Sequence, residues 1–113
     1  MKDNIERIIN RACSIWNVKY EDVIGRSREK PLPFVRAIIA KTIRDVFGLS
    51  FQSIGSFLGR NHSSAFYYVR LYDSEYKYNQ EFRNFANAMK DVALDMRTGF
   101  QEELDDELNE IIG

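Results

Sequence analysis

The sequence predicts an all-α fold, a compact helical domain that contains a helix-turn-helix. Two long segments carry apolar residues three and four positions apart. One runs through Ile5, Ile8, Ile9, Ala12, Ile15 and Trp16, the other through Val35, Ile38, Ile39, Thr42, Ile43, Val46 and Phe47. That spacing lines one face of a helix. Residues 50–72 then hold a short apolar segment, a glycine-containing turn and a second segment that opens on small polar side chains. Two helices joined by a tight turn have this pattern. At 113 residues, 44% hydrophobic and 13% aromatic, the chain is sized for one core.

Taken in order, Asp3 with Glu6 three residues on fits a capping box with Asp as the cap, so the first helix is expected over 4–17. Residues 18–24 read as a shorter turn of helix, with Val23 and Ile24 joining the core. Trp16 reads as a core residue and not as a platform for stacked bases. The segment Gly25-Arg26-Ser27-Arg28-Glu29-Lys30-Pro31 is a loop, bounded by Gly and Pro and carrying three cations. From Pro33 to about Phe47 runs the central core helix, because proline is tolerated in a first turn, and Gly48 lies just past its end. Arg36, Lys41 and Arg44 are expected off its apolar stripe.

Ser50 is placed as an N-cap for a helix with Phe51, Ile54, Phe57 and Leu58 on one face. Gly59 permits a sharp turn through positive φ. Asn61 caps the next helix, where Ala65, Tyr68, Val69 and Tyr72 recur at helical spacing and the helix continues towards Tyr78. Spacing does not decide whether Tyr76 and Tyr78 pack or lie exposed. Asn79 restarts a closing helix with Phe82, Phe85, Ala86, Met89, Ala93 and Met96 on one stripe, and Thr98-Gly99 breaks it. The expected organisation is a domain over 1–99 and an acidic amphipathic extension over 100–113.

The motif Ser53-Ile54-Gly55 followed by Gly59-Arg60-Asn61-His62-Ser63-Ser64 resembles the signature of the DNA-binding domain of the bacterial chromosomal replication initiator DnaA. That family reads roughly as E-I-G, a few residues, then G-R-D-H-T-T, and the likeness spans about Asp3 to Met89. This sequence departs from it at Asn61, which replaces Asp, at Ser63 and Ser64, which replace two threonines, and by one residue fewer between Ile54 and His62. The family's loop also ends in Pro-Arg, where this chain has Phe34-Val35-Arg36. The resemblance implies the Trp-repressor-like, C-terminal domain of such an initiator, here as a stand-alone protein. It implies that Arg28, with Arg26 nearby, enters a minor groove, that Arg36 and Arg44 meet the DNA backbone, and that Phe51 and Gln52 approach thymine methyls and the backbone. Phe51 also has the spacing of a core residue.

The net charge of −1 conceals a segregation. Between Arg26 and Arg70 stand eight basic residues against Glu29 and Asp45, a balance of +6, whereas residues 100–113 carry six acids and no base. Such asymmetry points to a basic binding surface and a separate acidic tail. Within the tail, Leu104, Leu108 and Ile111 share one helical face. It reads as a packed closing helix, a docking segment for a protein partner, or a mimic of DNA lying over the basic loop. Its apolar stripe favours the first two.

Chemistry beyond binding has little to stand on. His62 and Cys13 are the only histidine and cysteine, too few for the usual four zinc ligands, and Cys13 reads as a packed thiol in a reducing cytoplasm. No G-x-x-x-x-G-K-[ST] loop is present, so neither a nucleotide nor another cofactor is expected. No signal peptide is visible, and no apolar run approaches the roughly 18 residues of a membrane span. The expected function is sequence-specific, non-enzymatic binding of double-stranded DNA in replication initiation or its regulation, in a bacterial cytoplasm at the nucleoid. Arg26, Lys30, Arg36 and Arg44 are expected to anchor phosphates, Arg28 to enter the minor groove, and Arg60 to stand among the DNA-binding residues. Gln52 opens the first helix of the motif, and Asn61, His62, Ser63 and Ser64 stand at the mouth of the major groove, where Asn, Ser and His can hydrogen-bond base edges. The alternative is a protein-interaction adaptor that keeps the fold without specific DNA binding.

Overall fold

A computed structural model describes residues 2–95, and within them every regular element is a helix. These are α1 (Lys2–Trp16), α2 (Tyr20–Ile24), α3 (Leu32–Phe47), α4 (Phe51–Phe57), α5 (His62–Tyr78) and α6 (80–95). The expected extension at 100–113, with Met96 and the Thr98-Gly99 break, lies outside the described residues. No described helix is long and apolar enough to cross a membrane.

Helix α1 buries Ile5, Ile8, Ile9 and Ala12 completely. Asp3 lies inside its first turn and is not the cap expected from the sequence. The helix stops at Trp16 because Asn17 turns to φ 54°, a conformation that Asn adopts more readily than most residues. The Asn17 N–H then donates to Ser14 O (3.3 Å) and the Val18 N–H to Cys13 O (3.0 Å), the paired bonds of a Schellman end.

Helix α3 is the axis of the fold. It packs against α1, α2, α4 and α5, and its buried positions run almost all the way round it from Leu32 to Ile43. Gly48 ends it in the left-handed region, its N–H on Arg44 O at 2.8 Å. Ser50 caps α4 as expected, accepting the Ser53 N–H at 3.2 Å. Helix α6 closes the core with Phe82, Ala86 and Met89. Trp16 packs between Phe34 and Phe85, with centroids at 6.4 and 4.2 Å, and lies half-buried against the core.

Ile24, expected inside, is 39% exposed, because α2 is a single short turn and only Val23 points inward. Tyr76 is half-buried and donates its hydroxyl to Asn87 Oδ1 at 2.8 Å, whereas Tyr78 lies exposed. Arg83 of α6 closes the end of α5, donating to Tyr76 O and Lys77 O at 2.9 Å each.

Tyr72 is buried edge-on against Phe82 at 5.5 Å. Burial, then the neighbouring Tyr76, Asp45 and Asp73, push its phenol from 10.0 up to about 12. An unfolded chain therefore releases this proton first. The stabilisation is complete below pH 10 and is lost as pH rises towards 12, by up to about 2–3 kcal/mol. Urea midpoints measured across this window should fall for the wild type and fall less for Tyr72→Phe. Parallel curves would contradict the assignment.

Candidate nucleic-acid interface

The turn between α4 and α5 is set by close backbone contact. Gly59 takes φ 69°, and the Arg60 N–H returns to Gly55 O at 2.7 Å. A Cβ on Gly55 would lie 2.6 Å from Asn61 O and 2.7 Å from Arg60 O, so only glycine lets the turn fold back this far. Asn61 then caps α5, its Oδ1 accepting the Ser64 N–H at 3.0 Å. Ala65 and Tyr68 bury one side of the helix, which leaves Asn61, His62 and Ser63 exposed and Ser64 half-buried.

The basic loop leaves the end of α2. Residues 26–30 are all exposed, and the Ser27 hydroxyl accepts the Glu29 N–H at 3.2 Å. Among the described residues the ion pair present is Lys41–Asp45 at 3.4 Å, so Arg26 and Arg28 have no acid partner there.

Two walls meet in an open groove of about 880 Å³. The loop side contributes Ile24, Gly25, Arg26, Arg28 and Pro33. The helix side contributes Gly59, Arg60, Asn61, Ser63, Ser64, Tyr67 and Tyr68. Of the residues singled out from sequence, Arg26, Arg28, Arg60, Asn61, Ser63 and Ser64 are thus brought together. Lys30, Gln52 and His62 are exposed but do not line the groove, and the Lys30 ammonium stands 6.0 Å from the Phe34 ring centroid. Tyr67, 57% exposed, was missed by the sequence reading. Its position four residues after Ser63, on the same helical face, was the available signal.

Arg36 requires a correction. It is not on the surface but completely buried, and it cannot reach a phosphate. Its Nε donates to Val23 O at 2.7 Å and its Nη2 to Asp22 O and Gly25 O at 2.8 and 3.2 Å. Helix α3 is surrounded on nearly every side, so a position beside the main apolar stripe is still inside. Burial, then the nearby Arg60 cation, pull the Arg36 guanidinium below its ordinary range. Arg60 itself is half-buried and bonded to Leu58 O, Val23 O and Gly25 O. Arg44 is half-buried too, donating to Leu49 O at 2.8 Å with its guanidinium 4.0 Å from the Phe51 ring centroid. Phe51 meets Phe66 edge-on at 5.3 Å and packs at the border of the core.

The family described as the bacterial dnaA protein helix-turn-helix matches residues 5–71, more than half of the chain. The chain belongs to this family. Among its relatives, the chromosomal replication initiator protein DnaA of Lactococcus lactis subsp. cremoris is 24% identical over 87 residues, which cover 76% of this chain and 19% of the relative. DnaA 2 of Chlamydia trachomatis is 24% identical over 95 residues, 83% of this chain and 21% of the relative. The protein of Bifidobacterium animalis subsp. lactis is 25% identical over 83 residues, 73% of this chain and 14% of the relative.

The chain therefore spans about a fifth or less of the DnaA proteins it matches. The helix-turn-helix of this DnaA family member keeps its geometry through the Asn61 departure, because Asn and Asp cap helices about equally well. What changes is the charge at the head of α5.

Arg36→Ala should remove three hydrogen bonds from a cation and leave Asp22 O without a guanidinium, while Val23 O and Gly25 O keep Arg60. A loss of about 3 kcal/mol or more in urea unfolding is expected. Arg28→Ala, at an exposed loop position, should stay within about 0.5 kcal/mol of the wild type. Equal, small effects for both would place Arg36 on the surface after all.

Proposed function

We propose that this domain binds double-stranded DNA in a sequence-specific manner, in replication initiation or its regulation, in the cytoplasm at the nucleoid. The observation that carries the reading is the groove, in which two exposed arginines, without acid partners among the described residues, face the capped first turn of α5. Family membership and the relatives' name as replication initiators support it. A protein helix fits the major groove of B-DNA, and its first turn is the part that meets base edges. Asn61, His62, Ser63 and Ser64 are that turn. Ser63 and Ser64 offer hydroxyls that both donate and accept, and the Asn61 amide nitrogen is a donor while its oxygen serves the cap.

In this reading Arg28 enters the adjacent minor groove, where the negative potential favours arginine, and Arg26 and Lys30 neutralise phosphates beside it. Gln52, on α4, and Arg44, at the end of α3, lie outside the lining of the groove. Arg36 has no part in contact. The site uses no cofactor and performs no reaction.

A duplex selected from a random library should bind with a log-log salt slope that grows by about 0.9 for each phosphate neutralised. His62→Ala or Ser63→Ala should cost roughly 1–3 kcal/mol on that duplex and little on a scrambled one. Absence of binding to every duplex at low salt would reject DNA binding and favour the adaptor reading. Arg28→Ala should lose minor-groove protection in A·T-rich flanks while protection over the major-groove half persists. Footprints unchanged by the substitution would return the loop to a solvated surface feature.

A further inference from the structure

Arg60 lines the groove, yet both of its terminal nitrogens are engaged by backbone carbonyls. Its Nη1 donates to Leu58 O at 2.7 Å and to Val23 O at 3.3 Å, and its Nη2 donates to Gly25 O at 2.6 Å. One of those carbonyls belongs to the turn before α5 and two to the end of α2. Leu58 opens the turn before α5, Val23 lies in α2, and Gly25 is the root of the basic loop. A guanidinium can serve them together because its donors are fixed in one planar fork. Its remaining face lies over the Tyr68 ring of α5, with the centroid 5.8 Å away.

Two further contacts bind the same place. The Gly59 backbone lies so near α2 that a Cβ there would stand 3.0 Å from Ile24 O. From the core side, Arg36 holds Val23 O and Gly25 O, the same two carbonyls that Arg60 takes from the turn side. Two cations thus approach one another at a cost in mutual repulsion. The carbonyl cluster between them, with its partial negative charge, offsets that repulsion.

We propose that Arg60 is a positioning residue that fixes the distance between the basic loop and the first turn of α5, and that it makes no phosphate contact of its own. The proposal rests on the DNA-binding reading and deepens it. A protein that reads two grooves at once gains affinity when both contact elements are held in register before the encounter, since less order is lost on binding. Arg60 supplies that register, because the loop cannot shift against the turn without breaking charge-assisted bonds.

Arg60→Lys separates positioning from phosphate contact. It keeps the charge but replaces the planar fork with a single ammonium. On the selected duplex its affinity should fall about tenfold or more, as the loss of one or two charge-assisted hydrogen bonds implies. The salt slope should not change, and a scrambled duplex should be bound nearly as before. In the free protein, amides of residues 25–30 should exchange faster with solvent while those of α1 keep their protection. Wild-type affinity for Arg60→Lys, together with a salt slope lowered by about 0.9 in Arg60→Ala, would overturn the proposal in favour of a phosphate contact. Unchanged exchange in the loop would overturn it without reference to DNA. Should the wild type bind no duplex at all, faster loop exchange in Arg60→Lys would still uphold the tie between loop and turn, and only the DNA reading would fall.

Discussion

The carbonyl end of α2 is the constraint on which the rest of the site depends. A helix of five residues does not hold itself together, because nucleation costs more than so few backbone bonds return. Its last carbonyls also have no partners within the helix. Here Asp22 O, Val23 O and Gly25 O are taken up by guanidinium groups, Arg36 from beneath and Arg60 from the turn. Burying Arg36 would be expensive for a bare cation, but each bond it makes to a carbonyl is charge-assisted. The basic loop departs from Gly25, so whatever fixes this end of α2 fixes where Arg26 and Arg28 begin.

The same residue type therefore serves three ends within a short distance. Arg36 is sealed in the core, Arg60 spans the seam between turn and loop, and Arg28 stands in water. Their chemistry differs only through burial and hydrogen bonding. A guanidinium whose hydrogen bonds go to backbone carbonyls holds structure together, whereas one exposed to water remains available to an anion. Counting charges along residues 26–70 gives +6, yet the positive field that a ligand meets comes from the exposed members of that set.

Membership in the DnaA helix-turn-helix family and the geometry agree on the turn as the defining shape of the motif. Gly55 and Gly59 allow the close return, and Asn61 caps α5 where the signature has Asp. The serine pair keeps hydroxyls at the two positions where the signature has threonines, without their methyl groups. The head of α5 thus differs from that signature in charge and in apolar surface, while Asn61 still caps the helix that presents it. Differences of that kind alter which base edges suit a helix and leave its placement alone.

The sequence by itself determined the helical class, the order of the elements and the position of the turn. Those rest on local physics: apolar spacing in α1 and α3, caps at Ser50 and Asn61, and glycines where the chain reverses. It also marked Arg26, Arg28, Asn61, Ser63 and Ser64, which the fold gathers in one groove. Only the tertiary structure decided which arginines reach solvent. Arg36 looked like a surface residue because helical periodicity assigns one buried stripe, and nothing in the spacing reveals that α3 is enclosed on nearly all sides. Arg60 looked like a ligand contact because two of its three partners lie 35 and 37 residues away along the chain. Ile24 and Tyr67 went the other way, exposed because a single-turn helix and a groove wall leave them uncovered. Periodicity records which side of a helix is apolar, but whether a charged side chain meets water or a carbonyl depends on what the rest of the chain packs against it.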